Sequence, residues 1–449
     1  MNASNPSMAR PVPVPSSRVA RLARFGTMAT GIAGNVAWTA AQTLGRGSRP
    51  SLRDLVISPR NIRRLTEELA HMRGAAMKVG QLLSMEAGDV LPPELSDILA
   101  RLRDDAHFMP PAQLKKVLST SWGDRWVGQF QSFDVRPIAA ASIGQVHRAR
   151  LRDGRDVAVK IQYPGVARSV DSDVANVGAL VRLSGLLPKG FDIAPYLDEA
   201  RRQLREETDY LREGRCLESF GKRLRGSPKF DIPEYYEDWS SPTVLTMSFV
   251  AGDPIETAAA LDADLRQQIA TDLIELLFRE IFEFGEVQSD PNFANYRYNA
   301  QTGRIVLLDF GATRPLDAEI VELYRRLFAA GLSGDQTALA AVATDLGGLT
   351  AGTAPEHRQR LLAMMDRAFD ALRATELYDF ADTALSRRMQ DETMDLAADG
   401  YVPQPVSMDV LYLQRKFAGL FLLANRLRTQ VPVRAMLERH LAAEPAPST

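Results

Sequence analysis

The chain spells Asp290-Pro291-Asn292-Phe293-Ala294-Asn295 and, a short hairpin pattern later, Leu308-Asp309-Phe310-Gly311. A carboxylate, an amide five residues on, and a second carboxylate ahead of a turn glycine is how phosphoryl-transfer sites hold an acceptor and a divalent cation. Asp-Phe-Gly by itself is commonly just a turn. The ordered pair constrains the chain far more, because both stations must close on one ion. Asp290 is then the general base or water-orienting carboxylate, and Asn295 and Asp309 are the ligands of Mg2+ or Mn2+. Oxygen donors completed by phosphate oxygens and water suit such a hard cation. The intervening hairpin, Tyr296-Arg297-Tyr298, Asn299 to Gly303 and Arg304 to Leu308, sets the loop-to-metal separation. Positioning matters here, since this chemistry depends mostly on placement and electrostatics.

Upstream, strands are expected from about residue 130: Gln131 to Ile138, Val146 to Leu151 and Asp156 to Ile161, with a hairpin turn at Asp153-Gly154. Between the first two lies Ala139-Ala140-Ala141-Ser142-Ile143-Gly144-Gln145. Small side chains there would let backbone N–H groups approach nucleotide phosphates. Lys160, at the end of Val157-Ala158-Val159-Lys160, is placed to reach the α- and β-phosphates. Its expected partner is Glu213, far enough along the chain that an inserted helix must lie between them. These elements predict an α+β, two-lobed protein-kinase-like fold. It has a small β-sheet N-lobe and a helical C-lobe, preceded by an N-terminal helical extension. The expected organisation is a basic arm at 1–50, the helical extension at 51–128, the N-lobe with its helical insertion at 129–250 and the C-lobe at 251–449. Apolar spacing predicts helices over 61–86, 95–102, 110–118, 166–187, 194–220 and 262–284, and two further sheet strands within 230–250.

Composition narrows the function classes. A net charge of −2 gives no overall affinity for nucleic acid. The single Cys216 excludes an intramolecular disulfide framework, and the five histidines form no zinc-type pair. Charge is nonetheless uneven. The first 50 residues hold six arginines and no acid, followed through 25–45 by an uncharged but weakly apolar stretch. Such a segment favours contact with an anionic membrane surface, at about 1 kcal/mol per Arg. A docked or solvated arm remains the alternative.

Two departures separate the chain from ordinary protein kinases. Val287-Gln288-Ser289 precedes Asp290 in place of the usual His-Arg, and Ala312-Thr313-Arg314-Pro315 after Gly311 leads to no nearby Ala-Pro-Glu, Ala354-Pro355-Glu356 standing 43 residues past Gly311. A phosphorylated activation loop and a peptide platform are therefore not expected. With Ala76-Met77-Lys78-Val79-Gly80-Gln81 as a K-x-G-Q helix, the Ala-rich loop, Lys160-Ile161-Gln162-Tyr163-Pro164-Gly165, Glu207-Thr208-Asp209 as E-x-D, and the two stations above, the chain resembles the UbiB (AarF-domain) family of atypical kinase-like proteins over about residues 18–440. Ser289-Asp290-Pro291-Asn292 and Asp309-Phe310-Gly311-Ala312-Thr313-Arg314 look like its ubiquinone-biosynthesis branch.

The resemblance implies that the K-x-G-Q helix covers the active site, with Lys78 and Gln81 facing the nucleotide region near Glu207 and Asp209. It implies that Ala139, Ala140, Ala141, Ser142, Gly144 and Gln145 form a nucleotide loop that favours ADP and suppresses autophosphorylation. It also implies a Mg-nucleotide-dependent ATPase or small-molecule kinase supporting ubiquinone synthesis. The expected partners are quinone-precursor lipids or biosynthetic enzymes, and the expected location is cytoplasmic, peripheral on the inner face of the membrane. A nucleotide-gated scaffold without turnover and an open-cleft metabolite kinase are the alternatives. The K-x-G-Q cover counts against the latter.

Overall fold

The computed structural model describes residues 69, 72–87, 108–183, 192–402 and 406–443. The basic arm, the 25–45 stretch and the helix expected at 95–102 lie outside the described residues. The chain divides into two compact units. The first ends at Ser219 and adds Pro233–Phe249; the second combines Phe220–Ile232 with Val250 onward.

The first unit is a sheet with helices. Its strands are β1 (Phe130–Phe133), β2 (Ala139–Ala140), β3 (Gly144–Leu151), β4 (Asp156–Gln162) and, later in the chain, β6 (Val244–Ser248), in the antiparallel order β1-β3-β4-β6 with β2 on β3. Val157, Val159 and Ile161 of β4 are fully buried, and they pack with Leu114, Leu118, Trp126 and Phe130. The two-residue strand period therefore turns Lys160 to the other face. Helices α1 (Arg73–Ala87), α2 (Pro111–Trp122), α3 (Val166–Leu183), α4 (Ala194–Glu207) and α5 (Tyr210–Arg223) complete the helical set, with α1, α3 and α4 packed on one another.

Two sequence expectations are corrected here. The helix expected unbroken over 194–220 splits at Thr208-Asp209. The Thr208 hydroxyl donates to the Arg205 carbonyl, and Asp209 Oδ1 accepts from the Arg212 N–H, starting a new helix. Such local side-chain bonds compete with the helical ladder and favour caps. In addition, of the 230–250 region only Val244–Ser248 joins this sheet as a full strand, Tyr235 meeting Met247 in an isolated antiparallel bridge. The short β5 (Phe230–Asp231) pairs instead, in parallel, with a strand of the second unit.

The second unit is mostly helical, with the short strand β7 (Asp253–Pro254) ahead of its first long helix. Helix α6 (Ala263–Arg279) begins at Asp262, whose side chain accepts from the Leu265 N–H, and runs into a π-turn at Glu280–Phe284. Gly285 (φ +60°) stops it. The chain then enters β8 (Glu286–Gln288), the loop at 289–295, the hairpin β9 (Tyr296–Asn299) and β10 (Arg304–Leu307), and β11 (Thr313–Pro315). β11 pairs antiparallel with β8, Thr313 opposite Gln288. Helices α7 (Ala318–Ser333), α8 (Gln336–Asp345), α9 (Pro355–Arg373), α10 (Ala384–Ala398), α11 (Met408–Leu427) and α12 (Val433–Ala442) follow. α11 packs along α6. Among the described residues no helix is long and apolar enough to cross a membrane.

Candidate active site

Lys160 and Glu213 meet as expected. The Lys160 ammonium donates to both carboxylate oxygens of Glu213, at 2.7 and 2.9 Å. Both residues are buried, 8% and 2% exposed. The break at Thr208-Asp209 makes this possible. Gln162, at the end of β4, donates to the Thr208 carbonyl at 2.7 Å. That bond ties the start of α5 to the sheet, so the first turn of α5 presents Glu213 to Lys160.

Asp209 serves this geometry as the cap of α5 rather than through a long-range contact of its own among the bonds described. Glu207 has two partners: Lys78 of α1 is ion-paired to one oxygen, and Ser142 of the Ala-rich turn donates to the other at 3.0 Å. The K-x-G-Q helix, the Ala-rich turn and the E-x-D segment are thus joined at one carboxylate. Gly74 lets α1 come close; a Cβ there would lie 3.3 Å from the Ser142 carbonyl and 3.0 Å from Ile143. Gln81 lies within α1, but its side chain is outside the described residues.

The expected nucleotide loop is a tight hairpin. Ala139 and Ala140 pair with Val146 and Gln145, and the Ala141 N–H donates to the Gly144 carbonyl at 2.8 Å. Two members of the loop have other duties. The Gln145 side chain is fully buried, accepting from the Met109 N–H at 2.8 Å and bonded to His147 Nε2 at 2.7 Å. Its backbone lies within β3, opposite Ala140 on one side and Ile161 on the other. His147 is fixed by the Asp134 carbonyl, and burial pushes its pKa down. Gly144 is required by packing, since a Cβ would fall 2.4 Å from the Ile161 carbonyl oxygen and 2.9 Å from the Tyr210 hydroxyl.

In the second unit, Asn295 Nδ2 donates to Asp290 Oδ2 at 3.2 Å and to the Asp290 carbonyl at 3.3 Å. That turns the Asn295 amide oxygen away from Asp290, the orientation a cation ligand needs. The Leu308 N–H donates to the Asn295 carbonyl at 3.0 Å, so backbone pairing holds the segments bearing Asn295 and Asp309 together. The Gly311 N–H donates to Asp309 Oδ1 at 2.9 Å. Among the described residues no three His, Cys, Asp or Glu side chains gather as a metal cage. Two protein oxygens with nucleotide phosphates and water completing the shell is the mode Mg2+ adopts, and the donors at Asn295 and Asp309 fit it.

Several residues missed in the sequence surround this station, mostly from α11. Arg415 Nη2 donates to Asp290 Oδ1 at 2.9 Å. Lys416 is buried, donating to Gln288 Oε1 at 3.0 Å and the Tyr296 hydroxyl at 2.8 Å. Gly419 admits Pro291, where a Cβ would lie only 2.2 Å from the proline Cβ. Glu280 lies 3.9 Å from Lys416, and burial pushes its carboxyl up to about 7. Burial would lower the Lys416 ammonium, but Glu280 and Tyr296 outweigh it and hold its pKa above the usual value. An Arg-Lys pair inside an apolar helical stretch was the available signal, but its partners lie more than 100 residues away in sequence.

A strand lysine gripped by a helical glutamate, an Asp with its Asn, and an Asp-Phe-Gly turn define a kinase-like phosphotransferase fold of atypical type. A model of the ABC1 atypical kinase-like domain matches residues 101–343. The mitochondrial atypical kinase COQ8 of Saccharomyces cerevisiae is 36% identical over 420 residues, covering 93% of this chain and 83% of its own. COQ8B of Rattus norvegicus, also mitochondrial, is 36% identical over 427 residues, covering 95% and 80%. Among solved structures, the complex of Rv3197 with erythromycin from Mycobacterium tuberculosis has a TM-score of 0.61 at 25% identity, covering 84% of this chain and 95% of that one. The chain belongs to the ABC1 atypical kinase-like family, the group to which its K-x-G-Q, Ala-rich and Asp-Phe-Gly motifs pointed.

Proposed function

We propose that this protein is a Mg-nucleotide-dependent atypical kinase-like ATPase that supports ubiquinone biosynthesis. The observation that carries the proposal is the buried Lys160–Glu213 pair, with both carboxylate oxygens on one ammonium. Such a pair pre-sets a lysine for nucleotide phosphates. Asn295 and Asp309 would hold the cation, which neutralises phosphate charge when bound. Asp290 would orient the acceptor, water or a small hydroxyl compound. Lys78, Gln81, Glu207 and Asp209 would serve as a cover tied to the loop at Ala139 to Gly144, in place of a peptide platform. ATP and ADP are the nucleotides in view, and Mn2+ could replace Mg2+.

The relatives named COQ8 support the biosynthetic role. Quinone-precursor lipids or the enzymes that handle them are the partners proposed, without nucleic acid. The proposed setting is the inner face of a membrane, held peripherally through the basic segment at 1–50. A second reading, nucleotide-gated binding without appreciable turnover, is favoured by one feature: both Asp290 carboxylate oxygens are already engaged, by Arg415 and Asn295.

Phosphate release from MgATP, with and without anionic liposomes and a phenolic quinone-precursor mimic, decides between them. Turnover that disappears in Asp309→Asn supports the ATPase. Nucleotide-dependent liposome binding without turnover supports the scaffold. Deleting the gene in its host and finding normal ubiquinone in the lipid extract would remove the biosynthetic role.

A further inference from the structure

We propose that Gln288, oriented by Lys416, is a positioning residue that sets the backbone of the metal ligand Asp309. It does so where an ordinary protein kinase carries histidine. The inference rests on the metal role proposed above for Asn295 and Asp309. Gln288 is buried at the end of β8, two residues before Asp290. Its Nε2 donates to the Asp309 carbonyl at 3.2 Å, and its Oε1 accepts from Lys416 at 3.0 Å. An ammonium can only donate, so Lys416 fixes which end of the amide faces which partner. The NH2 group must point at Asp309.

The same ammonium bonds the hydroxyl of Tyr296, the residue next to Asn295. One buried charge therefore braces the chain on both sides of the 289–295 loop and, through Gln288, the Asp309 carbonyl. The ladder between β8 and β11 adds Ser289, whose N–H and hydroxyl both donate to the Ala312 carbonyl, at 3.1 and 2.8 Å. Arg415, next to Lys416 on α11, holds the Asp290 carboxylate. Burying a lysine here is not the most stable choice, since well-packed apolar side chains commonly do as well or better. What the lysine adds is directional: two donors fixed on named acceptors, Gln288 Oε1 and the Tyr296 hydroxyl, around the two metal-bearing segments. Outer partners of this kind orient ligands and tune metal affinity.

The test uses the full-length protein, Mn2+ and ADP, with free Mn2+ read by electron paramagnetic resonance, so that no turnover is needed. Asp309→Asn sets the reference for loss of a ligand. Gln288→Glu keeps the shape and can accept from Lys416 but cannot donate to the Asp309 carbonyl. Gln288→His restores a ring N–H donor, and Lys416→Met removes the orienting charge. The expected result is Mn2+ affinity about ten-fold weaker in Gln288→Glu and Lys416→Met, with Gln288→His within about three-fold of the parent. The half-saturating Mg2+ for phosphate release should shift in the same order, with kcat at saturating Mg2+ changed far less. Melting temperature confirms that each variant is folded. If Lys416→Met does not fold, the contrast between Gln288→Glu and Gln288→His decides. A folded Gln288→Glu that binds Mn2+ like the parent overturns the positioning role while leaving the metal site intact. Parent protein whose Mn2+ binding is indifferent to Asp309→Asn overturns the metal site itself, and this inference with it.

Discussion

Replacing Lys160 by Met should damage the fold as well as the chemistry. Glu213 is 2% exposed, and both its carboxylate oxygens lie within 2.9 Å of the Lys160 ammonium. Removing the lysine leaves a buried carboxylate without its counter-charge, a loss of about 3–5 kcal/mol. Domain stabilities run about 5–15 kcal/mol, so the first unit should lose a large share, with melting lowered by roughly 10 °C. Lys160→Met/Glu213→Leu removes both charges and should regain most of that loss, because the desolvation penalty of each ion goes with it. Urea unfolding reports this through Trp122, Trp126 and Trp239, all within the first unit, once Trp38 is replaced by Phe. Both variants should lack turnover, so stability and activity separate only in the double variant. A single substitution costing less than about 1 kcal/mol, or a double costing the sum of the singles, would show that the pair is not coupled as its geometry requires.

Three further outcomes follow from the same structure. Burial raises the Glu280 carboxyl from 4.5 to about 7, against the attraction of Lys416 and a Gln288 backbone N–H and with Glu286 adding repulsion. Because the folded value lies above the unfolded one, its stability contribution is full below about pH 4.5 and is lost as pH rises to about 7, amounting to about 3 kcal/mol. Glu280→Gln should therefore gain about that much relative to the parent between pH ~4.5 and ~8 by urea unfolding, and a pH-independent difference would contradict the burial account. Gly144→Ala places a methyl 2.4 Å from a backbone carbonyl that cannot move cheaply; a loss of about 2 kcal/mol is expected, and a neutral melting temperature would refute the packing role. Lys78→Ala leaves Glu207 with Ser142 as its partner, so α1 amides should exchange hydrogen faster while those of β3 and β4 do not; unchanged exchange in α1 would show that Lys78 does not hold the cover.

Much of the architecture was open to reading because it is periodic or local. Alternating burial in β3 and in the first half of β4, the Asp-Gly turn between them and the hairpin turn at Gly303 (φ +69°) are short-range signals. The break at Thr208-Asp209 was missed because apolar spacing runs through it, while two side-chain bonds decide the issue. The parallel pairing of β5 with β10, outside the first unit's sheet, has no counterpart in the sequence, because a two-residue strand carries no signal of its partner. The Ala-rich motif reads as a loop for backbone N–H groups and carries no local sign that the Gln145 amide is bonded within the core or that Gly144 is a steric necessity.

By itself, the sequence determined the kinase-like class, the pairing of Lys160 with Glu213 and the order of Asp290, Asn295 and Asp309, because residue type and spacing there follow a kinase-like pattern written along the chain. Only the tertiary structure decided what holds those groups: Arg415 on Asp290, Lys416 on Gln288 and Tyr296, and Glu207 shared by Lys78 and Ser142. The physical reason is that a hydrogen bond or ion pair depends on distance in space, and chain separations of 65 residues (Ser142 to Glu207) to 129 residues (Lys78 to Glu207) leave no local pattern from which such partners could be read.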